Sequence, residues 1–209
     1  CASVANGIMT LDTMNEDINN GWTYSFDWNA DNMVGSTFKA RIKMISAVTL
    51  PHLNKIRKGM YITLNDGTRI AGLTIGVDGI SIMRMSPYSG VSTIQAGHYY
   101  LEYLMDTTDG FHDYQMTLKG GDVQIFVDGV LRITAFDWAE YANIPYPGYP
   151  TGLPETYWGD ASGVSSVKCE IEYIYYSTLG AFAAETNKNW RVCEDSKWKY
   201  FEQDCPTGV

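Results

Sequence analysis

The sequence has few basic residues and no long apolar run, and these absences limit the partners it can have. Only 15 of its 209 residues are Lys or Arg, against 24 Asp or Glu, so the formal net charge is −9. Counterion release on DNA or RNA needs clustered cations, which argues against nucleic acids and anionic membranes as partners. No apolar run reaches the roughly 18 residues of a transmembrane helix, so we expect no membrane span.

Signatures of metal binding and of serine-based hydrolysis are also missing. The sequence contains neither a Cys-x-x-Cys pair nor a Gly-x-Ser-x-Gly segment. Its three histidines, His52, His98 and His112, do not form a spaced ligand set. We therefore expect a structural role for each histidine and no required cofactor.

Cysteine is scarce but even in number, at Cys1, Cys169, Cys193 and Cys205. Four cysteines permit three pairings in an oxidising compartment. Cys193 and Cys205 flank a short aromatic, Lys-rich segment and are the first candidates for a disulfide. The chain begins at Cys1 with neither Met nor a signal sequence, as if processing had removed one. These features favour a secreted, extracellular or cell-surface protein, and Cys1 is a candidate lipid anchor of the bacterial lipoprotein kind.

The strongest positive signal is a pair of hairpins between Phe111 and Thr134, FHDYQMTLKGGDVQIFVDGVLRIT. Apolar and polar residues alternate on both sides of Gly120-Gly121, and a second tight turn follows at Asp128-Gly129. Period-two alternation joined by two-residue glycine turns predicts three antiparallel strands.

The same alternation extends over most of the chain, and helical periodicity is nearly absent. Between Thr37 and Ile45 every second residue is apolar and the others are mostly Lys or Arg, which is typical of a sheet with one wet side. We expect eleven or twelve strands at roughly ten-residue spacing. The predicted strands outside the hairpin region are Ser3–Thr13, Gly21–Trp28, Thr37–Ile45, Met60–Leu64, Arg69–Ile75, Ile80–Met85, His98–Met105 and Ser166–Thr178. Two antiparallel sheets packed face to face satisfy this pattern.

Several of these segments resemble the laminin-G-like domains of the concanavalin A-like lectin and glucanase superfamily. The resemblance covers residues 21 to 182 and is carried by TFKARIKMIS, NDGTRIAGLTIGVDGISI, GFHDYQMTLKGGDVQIFVDG, and WGDASG followed by EIEYIYYSTLGAF. It implies an all-β jelly roll with little helix, a single domain over residues 1–182, and a C-terminal extension over 183–209 stapled by a disulfide. First and last strands are neighbours in this superfamily, so Cys1 has Cys169 as an alternative partner to a lipid.

An aromatic, proline-rich segment is the predicted carbohydrate-binding loop. Proline prevents ladder pairing, so we expect residues 137 to 160 to form an ordered loop rather than a strand. Aromatic faces can stack on sugars while carboxylates accept hydroxyl hydrogen bonds. The candidate residues are Trp138, Tyr141, Tyr146, Tyr149 and Trp158, with Asp137 and Asp160. The alternative is that these aromatics cover a sheet end or bury a subunit contact.

A second loop is a candidate calcium site. Asp106, Asp109 and Asp113 lie within eight residues of one another, and calcium prefers several oxygen ligands at once. The run lacks the twelve-residue spacing of an EF-hand, and Asp before Gly is also a common turn residue. Calcium is therefore the one cofactor that the sequence suggests.

Carboxylate motifs of glycan-cleaving relatives are missing. Retaining glucanases of this fold carry a Glu-x-Asp-x-x-Glu strand, and Glu170-Ile171-Glu172 lacks its third carboxylate. We therefore expect a non-catalytic extracellular module that binds a neutral glycan or mediates adhesion. The first alternative is a subunit that self-associates into a filament or virion surface layer, because Tyr is abundant and the strand-like N-terminus could pair with a neighbour's edge. A polysaccharide-cleaving enzyme is the second alternative.

Overall fold

The computed structural model describes residues 2–14, 22–27, 31–49, 59–84, 100–136, 155–160, 165–181, 193–194 and 197–198. This part of the chain contains fifteen strands and no helix. The strands are β1 Ala2–Ala5, β2 Ile8–Asp12, β3 Trp22–Asp27, β4 Ser36–Thr49, β5 Met60–Asn65, β6 Ile70–Gly76, β7 Gly79–Arg84, β8 Tyr100–Leu104, β9 His112–Lys119, β10 Asp122–Val127, β11 Val130–Ala135, β12 Glu155–Asp160, β13 Ser165–Ser177, β14 Cys193–Glu194 and β15 Lys197–Trp198.

The strands form two large antiparallel sheets that pack face to face. The seven-stranded sheet has the order β1-β2-β13-β4-β9-β10-β11, and the six-stranded sheet has the order β3-β12-β5-β6-β7-β8. A separate hairpin joins β14 and β15. The predicted all-β sandwich is thus confirmed, as is the expected proximity of first and last strands, because β2 pairs with β13.

The core lies between the two sheets and is built by the alternation seen in the sequence. Inward-facing residues of β4 are fully or almost fully buried: Phe38, Ala40, Ile42 and Met44. They meet apolar residues of the six-stranded sheet such as Ile62, Leu73 and Ile80 in one continuous cluster. Burying one such side chain stabilises the fold by about 1.5–3 kcal/mol, so this cluster is the main source of stability.

The N-terminal segment differs from the prediction. It was expected to form one strand from Ser3 to Thr13, but the chain turns back at Asn6-Gly7 and forms the β1–β2 hairpin. Both turn residues have positive φ, 52° at Asn6 and 80° at Gly7. This is the turn that the right-handed twist of a hairpin prefers, and Asn-Gly is its strongest sequence signal.

The end of the predicted loop is also different, because residues 155–160 form β12. This strand lies inside the six-stranded sheet, between the edge strand β3 and β5. The prediction was wrong here because it applied the proline argument to the whole segment. Pro154 comes before Glu155, the first residue of β12, so residues 155–160 contain no proline that would prevent pairing.

Candidate ligand-binding face

The side of the seven-stranded sheet that points away from the core, here called the outer face, carries the most organised polar cluster among the described residues. Because inward residues of β4 alternate with Lys39, Arg41 and Lys43, these three cations lie on the outer face. Strand register places Arg41 directly between Asp113 of β9 and Tyr173 of β13. Three strands that are far apart in sequence thus contribute one row of side chains.

Arg41 is held in this row by two carboxylates. Its Nε donates to Glu172 Oε2 at 2.6 Å, and its Nη1 donates to Asp113 Oδ2 at 3.1 Å. The Tyr173 hydroxyl donates to the other oxygen of Asp113. The guanidinium also lies 5.9 Å from the centre of the Phe111 ring, and Lys39 Nζ lies 6.0 Å from the Tyr173 ring. Each planar group in the row therefore has a fixed orientation.

A β-bulge in β13 makes the row possible. The pairing with β4 shifts between Ile171 and Tyr173, so Glu172 faces no residue of β4. A bulge re-aims side chains that strict alternation would send to opposite faces. Ile171 and Ile174 remain buried in the core, while Glu172 and Tyr173 both reach partners on the outer face.

The electrostatics of the row keep its phenol neutral and its guanidinium charged. Burial and the hydrogen bond with Asp113 raise the pKa of Tyr173, so its phenol stays a neutral donor near neutral pH. Burial opposes the charge of Arg41, but the bonds with Glu172 and Asp113 prevail and raise its pKa. Both carboxylates of the row already accept hydrogen bonds from Arg41. This geometry provides donors and acceptors of fixed orientation.

Charge on the outer face is balanced, although the whole chain is acidic. Strand register and alternation place five carboxylates and five cations of β2, β13, β4, β9 and β10 on this side. They are Asp12, Asp113, Asp122, Glu170 and Glu172, with Lys39, Arg41, Lys43, Lys119 and Lys168. Lys168 Nζ pairs with Asp12 Oδ2 at 2.8 Å, and this hydrogen bond lowers the pKa of Asp12. These groups therefore carry no net charge.

The three predicted calcium ligands do not converge. Asp113 belongs to the Arg41 row, whereas Asp109 contacts His112 Nε2 at 2.8 Å. Asp106 accepts hydrogen bonds from the backbone nitrogen and the hydroxyl of Thr108, which makes it a turn residue. Within the described ranges no group of three acidic, His or Cys side chains could hold a metal. Calcium binding elsewhere stays a prediction, which calorimetry on chelator-treated protein tests.

Two of the predicted carbohydrate-binding residues are buried. Trp158 is 4% exposed and belongs to the core cluster, so its ring cannot stack on a sugar. Asp160 is 1% exposed and accepts a hydrogen bond from Thr13 Oγ1 at 2.7 Å. Both residues lie in β12, which is covered on its two edges by β3 and β5. The other candidates, Asp137, Trp138, Tyr141, Tyr146 and Tyr149, lie outside the described residues and stay predictions.

Cys169 is a free thiol at the centre of the seven-stranded sheet. It is fully buried, and burial raises its pKa to about 12, so it is not a reactive thiolate. Strand β2 separates it from β1, so Ala2 is about 9.6 Å away by strand spacing, beyond the roughly 7 Å that a disulfide spans. The Cys1–Cys169 bridge stays a prediction, because the described residues begin at Ala2. Cys1 and Cys205 lie outside the described residues, and the Cys193–Cys205 disulfide stays a prediction.

Searches with the chain found its fold in solved structures. The binding domain of botulinum neurotoxin DC in complex with rat synaptotagmin II matches with a TM-score of 0.53 and 10% identity, over 88% of this chain and 43% of that one. An endo-β-1,3-glucanase from Pyrococcus furiosus matches with a TM-score of 0.50 and 13% identity, over 87% of this chain and 78% of that one. The fold is the concanavalin A-like jelly roll.

The jelly roll is shared by binding domains and enzymes, so the fold alone does not select a function. The serotype G botulinum neurotoxin binding domain also matches, with a TM-score of 0.50 and 8% identity. This chain spans less than half the length of the toxin binding domains that it matches, 42% for serotype G. No family model matches the sequence, and no curated protein does.

Proposed function

We propose that this jelly roll is a non-catalytic extracellular module that binds a neutral glycan on the outer face of its seven-stranded sheet. The observation that carries the proposal is the Arg41 row, in which Glu172, Asp113 and Tyr173 fix a guanidinium between two carboxylates. Sugar hydroxyls are recognised by planar polar groups of fixed orientation beside aromatic surfaces. The balanced charge of this face supports a neutral ligand over a sulfated or uronate-rich one.

Stability does not account for the row. Exposed ion pairs contribute about 0–1 kcal/mol each, and the side chains of Arg41 and Glu172 are 35% and 50% exposed. We therefore take the main role of these contacts to be orientation of groups that a ligand can reach. The location follows from the proposal, since a glycan-binding module acts outside the cell. Among the described residues no helix could cross a membrane.

A pair of matched variants tests the site. Neutral oligosaccharides would first be screened on an array, and the ligands found would be titrated by calorimetry. Arg41→Ala removes the centre of the row and should weaken binding at least about tenfold. Lys168→Ala removes another half-exposed, ion-paired cation of the same face, paired with Asp12, and should change binding by less than about twofold.

Three results would contradict the proposal. If no neutral glycan binds, the ligand class is wrong. If the ligand is lost in Trp138→Ala with Tyr149→Ala but kept in Arg41→Ala, binding belongs to the predicted loop instead. If the chain releases reducing ends or unsaturated products from a panel of polysaccharides, it is an enzyme rather than a binding module.

A further inference from the structure

Strand β1 projects beyond the core of the sandwich. All four of its residues are exposed, and Val4 retains 41% exposure. Register with β2 places Val4 opposite Met9 and Ala2 opposite Leu11, on the side of the sheet that faces the core. Met9 and Leu11 are buried there, at 7% and 0% exposure. The apolar row of the core thus continues onto the exposed residues of β1, and one backbone edge of β1 has no neighbour among the described strands.

Two of the other described edge strands, β11 and β8, carry features that block further pairing, and β1 carries none. Edge strands avoid association through bulges, charges or proline. In β11 the register shift leaves Arg132 as an extra residue, and its guanidinium lies 4.7 Å from the Tyr103 ring. The edge strand β8 carries Glu102. By contrast, β1 reads Ala-Ser-Val-Ala, with regular register and no charge in a chain of net charge −9.

The direction of the strands decides how a second copy can add to this edge. Each neighbouring pair in the seven-stranded sheet is antiparallel. Because the number of strands is odd, the two outer strands β1 and β11 run in the same direction. A copy added by translation would therefore set β1 parallel to β11. A two-fold axis perpendicular to the sheet sets β1 antiparallel to β1 of the copy and continues the pattern of the rest of the sheet.

We propose that β1 is an association strand that pairs antiparallel with β1 of a second copy of this chain, about a two-fold axis at Val4. Such an axis keeps each face of the sheet on its own side, so directly opposed residues must be of one face. An axis midway between the two Val4 residues sets Val4 against Val4 of the second copy and Ser3 against Ala5. The side chains of the two valines then contact each other and extend the apolar row. None of the opposed residues of β1 is charged.

The dimer should be weak and should have a functional consequence. A four-residue strand is only about 13 Å long, and its contact is smaller than the roughly 800 Å² per partner of a standard interface. The two-fold axis places both outer faces on one side of a continuous sheet. Given the glycan site proposed above, two sites would face one surface, and their avidity would offset weak single-site binding.

Opposite charges at position 4 test the proposal. Sedimentation velocity would be measured from about 1 µM to about 1 mM, the range in which weak dimers form. The wild type should associate, and Val4→Glu and Val4→Lys should each weaken association at least about fivefold, because like charges would oppose each other. Mixing the two variants should restore the dimer, since Glu then faces Lys. Val130→Glu changes an equally exposed valine of β11 and should leave the dimer intact.

The proposal fails if the wild type stays monomeric throughout, or if Val4→Glu and Val4→Lys both associate like the wild type. It also fails if the mixture associates no better than either variant alone, because the register would then be wrong. Loss of association in Val130→Glu would assign the contact to β11 instead. Melting temperatures of all variants show that each one is folded, and none of these measurements depends on a glycan.

Discussion

At the scale of single residues, His112 shows how two segments, residues 109–113 and the turn at Asp128, are tied together. Its Nδ1 lies 2.7 Å from Asp128 Oδ2, and its Nε2 lies 2.8 Å from Asp109 Oδ1. Asp128 has a positive φ of 51° in the turn between β10 and β11, and its other oxygen accepts the backbone N–H of Asp113. The structural role expected for this histidine is consistent with these contacts.

This arrangement makes a pH-dependent contribution to stability. Burial lowers the pKa of His112, but the bonds with Asp128 and Asp109 outweigh it, so the pKa is raised. Only the imidazolium can donate from both nitrogens. Stability from a raised pKa is fully present below the unfolded value of about 6.5 and is lost as pH rises through the folded value.

The predicted direction of the pH dependence is tested by measuring the melting temperatures of His112→Gln and the wild type across a range of pH. The variant should be less stable at low pH, and the difference should shrink as the pH rises above about 6.5. Asp128→Asn removes one of the two carboxylates that raise the pKa of His112. The stabilisation by His112 should then be lost at lower pH than in the wild type. A stability difference that is constant from acid to alkaline pH would contradict the assignment.

At the scale of elements, the tight turn between β6 and β7 depends on a glycine that no other residue replaces. Gly79 has φ +146°, and a Cβ there would overlap the backbone carbonyl oxygen of Tyr103 in the neighbouring strand β8. The positive φ and the overlap with Tyr103 both involve backbone atoms rather than a mobile side chain. Neither can be relieved without moving a strand. The sequence predicted a turn between β6 and β7, but it did not predict the close approach of the β8 backbone to Gly79.

Gly79→Ala should therefore destabilise the fold by about 1–3 kcal/mol, which lowers the melting temperature by several degrees, about 4–8 °C for 2 kcal/mol. Gly110→Ala is the matched control, because a Cβ at Gly110 meets nothing within 4 Å. It should melt within about 1 °C of the wild type. Equal melting temperatures for the two variants would contradict the close approach of β7 and β8.

The sequence predicts individual strands and hairpins, but it does not predict which distant strands pair. Alternation predicted β4 and the β9–β10–β11 hairpins, because period two and glycine turns are local properties. The row of Arg41, Asp113 and Tyr173 was not predicted, since it depends on β4 pairing with strands more than 70 and 130 positions away. The only signal in the sequence was that Lys39, Arg41 and Lys43 alternate with apolar residues in β4. This alternation does not indicate which residues the cations contact. Burial of Trp158 was missed for the same reason.

At the scale of the whole molecule, the two strands of the N-terminal hairpin contribute unequally to the stability of the fold. Strand β1 buries none of its residues, whereas β2 buries Met9 and Leu11. Thr13, directly after β2, donates to the buried Asp160 carboxylate and accepts the N–H of Val167 at 2.8 Å. It thereby links the two sheets.

Two truncations separate these roles. A chain that begins at Asn6 should melt within about 2 °C of the full chain, because no buried residue is lost. A chain that begins at Met14 loses two core side chains worth about 2–5 kcal/mol each and leaves Asp160 without Thr13. Such a loss approaches the entire stability of a typical domain, about 5–15 kcal/mol, so calorimetry should show no cooperative transition. Similar melting of both truncated chains would contradict this division.

The order of strands also dictates when the protein can fold during its synthesis. Strand β13, the last long strand among the described residues, lies inside the seven-stranded sheet between β2 and β4. Until the ribosome has released Ser177, β2 and β4 have a gap between them and the sheet is incomplete. Strands β2 and β4 must therefore wait, unpaired with each other, while the more than one hundred residues between β4 and β13 are made.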